Sequence, residues 1–158
     1  MTDFAELIPA LVFEFQMRVE VGTPVEQGTR DGWRYRDVPI VGGTVHGARM
    51  RGVVLSGGAD AQSIRLSDGF ARIDASYALR HEDGTEIAIR NLGIRRGPQE
   101  VIARLAAGES VNPALYYFRS LPTFEVGAGP HQWLTEHLFV CIGKRWPDAV
   151  ELDVYRVT

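Results

Sequence analysis

Apolar and polar positions alternate along most of the chain, in short runs broken by glycine and proline. Residues 11–21 have the two-residue period of a strand, with Phe13 and Phe15 on one face and Glu14 and Gln16 on the other. Residues 22–37 are glycine-rich and charged and read as a long loop carrying a short strand at 33–36. Strands are expected at 39–46 and 49–55, paired around Gly47, and a short one at 62–66 before the tight-turn signal Asp68-Gly69. The clearest hairpin has arms 70–80 and 85–94 around Glu82-Asp83-Gly84. In its first arm Ile73, Ala75, Tyr77 and Leu79 share one face, and Asp74, Ser76 and Arg80 the other. One helix is expected over about 98–107: Pro98 suits a first helical position, Val101, Ile102 and Leu105 make an apolar stripe, and Gly108 can end it. Further strands follow at 115–126, 133–144 and 150–157.

About eight or nine short strands with one helix and no βαβ alternation point to an all-β antiparallel barrel or sandwich. A length of 158 residues suits a single domain spanning the whole chain. A barrel of about eight strands can hold one small ligand.

Charge and composition narrow the function classes. Seventeen basic residues against twenty acidic give a net charge of −3, and the basic ones are scattered, so nucleic acid is not an expected partner. Cys141 is the single cysteine, which excludes an internal disulfide and fits a reducing compartment. No apolar run approaches the ~20 residues that span a bilayer, and the acidic start Asp3-Phe4-Ala5-Glu6 is unlike a signal peptide. A cytoplasmic protein with no membrane partner is the expectation.

The candidate chemistry concentrates in 115–125, where Arg119 and Glu125 sit among Tyr116, Tyr117, Phe118 and Phe124. A buried arginine needs a partner, because an unpaired buried charge is costly, and Asp60, Asp74 and Glu125 are the available carboxylates. Arg119 then serves either a structural ion pair or an oxyanion clamp. Asp60 follows Gly57-Gly58-Ala59, either as a turn residue or as a polar contact at a barrel mouth. Asp74 faces solvent if Ile73, Tyr77 and Leu79 pack inward. It faces the lumen, with a raised pKa, if they pack outward. Trp133 opens a strand whose one face also carries Thr135 and His137. His46, His81, His131 and His137 show no metal-ligand spacing, so no metal is expected. Cys141 reads as a buried hydrophobe, and no Gly-x-Ser-x-Gly nucleophile elbow is present.

Several stretches together carry a resemblance. They are Val41-Gly42-Gly43, the run from Gly52 to Asp60, the Asp74-Ala75-Ser76-Tyr77 strand ending in Asp83-Gly84, Tyr117-Phe118-Arg119 with Pro122-x-Phe124-Glu125, and Trp133-Leu134 with Phe139-Val140. In order and spacing they resemble the domain-of-unknown-function 3237 family over nearly the whole chain. The resemblance implies a closed, loosely lipocalin-like antiparallel barrel, often oligomeric, with no cofactor and no agreed activity. Family positions match at Gly57, Gly58, Asp60, Asp74, Tyr77, Arg119, Glu125 and Trp133, whereas Ala61 stands where the pattern has an aromatic.

The leading expectation is a cofactor-independent enzyme of lyase, isomerase or cyclase type acting on an aromatic or carbonyl-bearing metabolite inside the barrel. Asp60 or Asp74 would move a proton and Arg119 would stabilise oxyanion charge, with Tyr77, Tyr117, Glu125 and Trp133 contacting the substrate. The alternatives are a non-catalytic carrier or sensor, and a structural oligomeric barrel. Residues 115–118 and 138–142 are bulky on both faces, which predicts a covered outer face and hence a homo-oligomer.

Overall fold

The computed structural model describes residues 3–158, and its ten strands pair only antiparallel. In chain order these are β1 (Leu11–Val21), β2 (Val25–Arg30), β3 (Trp33–Gly47), β4 (Gly52–Val54), β5 (Ala59–Arg65), β6 (Ala71–His81), β7 (Glu86–Arg96), β8 (Tyr117–Glu125), β9 (Phe139–Arg145) and β10 (Ala149–Val157). The order β1–β10–β9–β8–β7–β6 continues through β4 and β5 to β3, and β3 pairs back onto β1 to close the barrel. β4 and β5 share one place in the wall. β4 bridges Thr44–Val45 and Leu79–His81 at one end, while β5 bridges β3 and the start of β6 at the other. Eight wall positions therefore close the ring, and β2 hangs outside it on β3.

The break between β4 and β5 explains the glycine pair there. Gly57 has φ +105°, and a Cβ on Gly58 would lie 2.4 Å from the Ser76 carbonyl oxygen. The bend thus requires one residue free to take positive φ and one with no side chain.

The strand period delivers a continuous core. Phe15, Met17, Val19, Val45, Leu79, Ile87, Ile89, Phe124, Cys141 and Val154 all point into the lumen. One end is plugged by aromatics, with Phe124 lying 6.0 Å from Phe15 and 5.2 Å from Phe139, ring centre to ring centre. A short 3-10 turn, Gln132–Thr135, adds the buried Leu134 to that plug. At the opposite end α1 (Gln99–Ala106) lays Val101 and Leu105 over Ala71, Ile73, Tyr116 and Phe118 and caps the barrel.

The barrel, the helix and most strands stand where the sequence pattern puts them, but two segments differ. Residues 22–37 form a strand pair, β2 with the start of β3, joined by Asp31 (φ 53°) and Gly32 (φ 80°). This is the Asp-Gly turn that favours hairpins, embedded among so many charges that its arms do not alternate. Residues 133–138 are not a strand: β9 begins only at Phe139, after the 3-10 turn. Trp133 thus shares no strand face with Thr135 and His137. Among the described residues no helix is long and apolar enough to cross a membrane.

Candidate functional site

Asp60, Gln62, Asn91 and Arg95 lie on the inward parity of β5 and β7, where their neighbours in register are the inward residues of β6: Ala75, Ile73 and Ala71. Arg36 of β3, opposite Gln62, and Arg145 of β9, opposite Val150, bring two more guanidinium groups to the same end. This polar end is a hydrogen-bonded relay. Arg36 Nε donates to Gln62 Oε1 at 2.8 Å, and Gln62 Nε2 donates to Asp60 Oδ2 at 2.7 Å. Asp60 Oδ1 accepts from the Asp74 backbone N–H at 3.1 Å. Tyr116 accepts the Arg145 backbone N–H at 2.8 Å, so its own hydroxyl hydrogen is free to donate elsewhere.

Burial governs the electrostatics here. It raises the Asp60 carboxyl above its ordinary 3.8, although the hydrogen bonds from Gln62 and Asp74 and the charges of Arg95 and Arg36 pull the other way. Burial also depresses Arg95 to about 9, with the repulsion of Arg145 and Arg36 adding to it. Arg36 and Arg145 are lowered for the same first reason. A cavity of about 40 Å³ lies just inside, walled by Asp60, Tyr77 and Asn91 among Val19, Ile73 and Leu152. The buried Asn91 Oδ1 has no hydrogen-bond partner among the described residues. The Tyr77 hydroxyl, whose nearest partner is Met17 Sδ at 4.0 Å, is held protonated by its burial.

Of the residues singled out in the sequence, Asp60 and Tyr77 meet at this cavity. Asp74 and Arg119 do not face the lumen. Ile73, Tyr77 and Leu79 pack inward, which turns Asp74 outward, where both its oxygens accept from Arg90 at 3.1 and 3.0 Å. The Arg90 hydrogen bonds hold the Asp74 carboxyl below its ordinary range, opposite to what an internal base requires. Arg119 lies outside because Phe118 and Ser120 take the inward parity of β8. It finds none of the expected carboxylates: its Nη1 donates to the Phe118 carbonyl at 2.9 Å, and its guanidinium sits 5.2 Å from the Tyr117 ring. Asp74, Tyr117 and Arg119 line an outer groove of about 890 Å³ together with Leu92 and Leu121. Glu125 is exposed at the end of β8. Trp133 stacks under Arg49, 3.6 Å from the ring centre, at the aromatic end of the barrel.

That aromatic end carries a second polar cluster. His131 Nε2 meets Asp83 Oδ2 at 2.6 Å, and His81 Nδ1 lies 3.2 Å from Asp83 Oδ1. The three residues offer donor atoms within 4.8 Å of one another. His81 Nε2 donates to the Arg49 carbonyl at 3.1 Å, which leaves Nδ1 to accept the Asp83 backbone N–H, also at 3.1 Å. A divalent cation held by these three residues would have to displace that N–H from Nδ1. Local spacing did not signal the group, because His131 and Asp83 stand 48 positions apart.

The model of the family described as protein of unknown function DUF3237 matches residues 9–157. The chain belongs to this family. A UPF0311 protein of Clostridium acetobutylicum is 40% identical over 145 residues, covering 91% of each chain. A UPF0311 protein of Rhodopseudomonas palustris is 38% identical over 156 residues, covering 99% of this chain and 95% of its own. The crystal structure of a conserved protein of unknown function from Rhodopseudomonas palustris superposes with TM-score 0.90 at 36% identity over the whole of both chains. A β-barrel-like protein from Acinetobacter baumannii gives 0.83 at 34% identity, over 95% of this chain and 96% of that one. An enzyme from Penicillium herquei shares the fold, with TM-score 0.70 at 17% identity over 95% of each chain.

Proposed function

We propose that the barrel takes up a small carbonyl-bearing metabolite at its polar end and moves a proton on it, with Asp60 as the acid–base group. The observation that carries this reading is the Asp60 carboxyl, buried in a cavity wall and pushed above its ordinary pKa. A carboxyl raised in this way can hold or accept a proton nearer neutral pH, as a general acid or base must. Tyr77 keeps its proton and can donate to a substrate oxygen, and the unpartnered Asn91 carbonyl can accept from one. Proton transfer of lyase, isomerase or cyclase type needs only such groups, so the reading calls on no cofactor. It assigns no chemistry to Asp74, Tyr117, Arg119, Glu125 or Trp133, which lie outside the lumen or at its far end. The shared fold of the Penicillium herquei enzyme is compatible with catalysis in this barrel.

The outer groove favours a second, compatible reading, in which this face packs against another copy of the chain. Leu121 is 61% exposed and Leu92 45%, beside Tyr117 and Arg119.

A metabolite screen with mass-spectrometric readout tests the catalytic reading. Turnover should fall by about 10²-fold or more in Asp60→Asn, the scale of a lost acid–base group, with the circular dichroism spectrum unchanged. Turnover indifferent to the substitution would overturn it, as would a ligand bound tightly and released unaltered.

A further inference from the structure

The polar end of the lumen holds more positive charge than the protein neutralises. Arg36, Arg95 and Arg145 come from β3, β7 and β9, three separated wall positions, and converge on one end of the barrel. Arg95 is 5% exposed. Among the described residues none of the three forms a salt bridge, although twelve ion pairs, ten of them through other arginine or lysine side chains, are made elsewhere. Neither nearby carboxylate closes the gap: Glu26, opposite Arg36 across the β2–β3 pair, is taken by Arg34, and the other is Asp60. Its oxygens are already taken by the Gln62 amide and the Asp74 backbone N–H, both neutral donors. Of the three guanidinium groups only that of Arg36 makes a hydrogen bond among the described residues, and that one goes to a neutral amide. The Phe118 ring lies 5.5 Å from the Arg95 guanidinium and brings no charge.

Two or more uncompensated positive charges in a desolvated space are costly. A fold keeps such a group where a ligand supplies the missing charge, because a guanidinium fork is built for a planar oxyanion. We infer that the ligand of this lumen is a small organic carboxylate, whose oxygens dock on Arg95, Arg36 and Arg145 while its remaining atoms reach the cavity beside Asp60 and Asn91. Tyr116 adds a neutral donor to the same anion through its free hydroxyl hydrogen. Carboxylate suits the position better than phosphate on two counts. It is planar and needs two oxygens rather than four, and it carries a single charge beside Asp60, whose own carboxyl repels a second. The inference rests on the proton-transfer reading for what happens next, but the binding step stands apart from it.

Thermal melting of the full chain at pH 7 and constant ionic strength tests the inference with sodium acetate as probe. Acetamide serves as the neutral isostere, and sodium chloride and sodium phosphate as competing anions. Acetate should raise Tm in a saturable way, and acetamide and chloride should not. Arg95→Met and, at the half-buried position, Arg145→Gln should weaken acetate by about tenfold or more each. Equal responses to acetate and acetamide would overturn the inference, as would a stronger response to phosphate than to acetate, or an acetate response unchanged in both folded arginine variants. The two readings fail separately. A neutral metabolite turned over in an Asp60-dependent way, with no carboxylate response, would sink the carboxylate and leave the proton transfer. An arginine-dependent acetate response in a protein that turns over nothing would do the reverse.

Discussion

Asp60 and Glu14 show how position decides what one carboxyl does. Burial raises the Asp60 pKa, so the protonated form favours the fold. The stability this lends is fully present below the unfolded value of about 3.8 and is lost as pH rises through the higher folded value. Asp60→Asn imitates the protonated state, so its Tm relative to the wild-type chain should be higher at neutral pH than below pH 3.8. A Tm difference that does not change with pH, or changes the other way, would contradict the burial argument. Glu14 is the opposite case. A register shift in β1 between Phe13 and Phe15 places it as a bulge residue, and its side chain meets both Arg49 and Arg156 at 3.0 Å. Desolvation raises its pKa, but the two arginines outweigh this and leave it below 4.5. Its contribution is therefore present above that value and lost as pH falls. Glu14→Gln should cost about 1–3 kcal/mol, the scale of hydrogen bonds to a charged group, measured by urea unfolding at pH 7, and much less at pH 3.

Strands carry most of what was legible. β1 and the β6–β7 hairpin follow directly from two-residue alternation and an Asp-Gly turn. The polar end of the lumen was written in the same alternation and is harder to see. Along β7 the inward parity runs Ile87, Ile89, Asn91, Gly93, Arg95, changing from apolar to polar within one strand. The same change occurs from Cys141 to Arg145 in β9 and from Ile40 to Arg36 in β3. Each alone looks like a strand end entering solvent; only strand order shows that they meet. Arg119 misled because its aromatic neighbours suggested burial on both faces, whereas β8 gives its inward parity to Phe118, Ser120 and Phe124. Helix α1 was legible from its caps and stripe, and it is the element that shuts this end. Leu105→Ala should cost about 2–5 kcal/mol, as large-to-small core changes do. It should also raise hydrogen-exchange rates at Ala71, Ile73 and Phe118 beneath the helix before those of the aromatic plug. Uniform acceleration through the barrel would show that the cap does not open independently.

At the scale of the molecule the barrel separates two environments, an aromatic plug at one end and a charged, helix-capped pocket at the other, with an apolar groove on the outside. If the groove packs against a second copy, sedimentation at micromolar concentration should give a species larger than 17.5 kDa, and Leu121→Glu should return it to monomer. A monomeric wild-type chain would contradict that reading and leave the lumen untouched. The central claim is that chemistry belongs inside the barrel and not in the groove. It is tested most directly by kcat/KM on the metabolite the screen identifies, compared across inner and outer variants. Asp60→Asn and Arg95→Gln should each lose about 10²-fold or more, while Asp74→Asn and Arg119→Gln stay within about threefold, as surface substitutions do. Loss confined to Asp74→Asn and Arg119→Gln, with Asp60→Asn fully active, would contradict the claim.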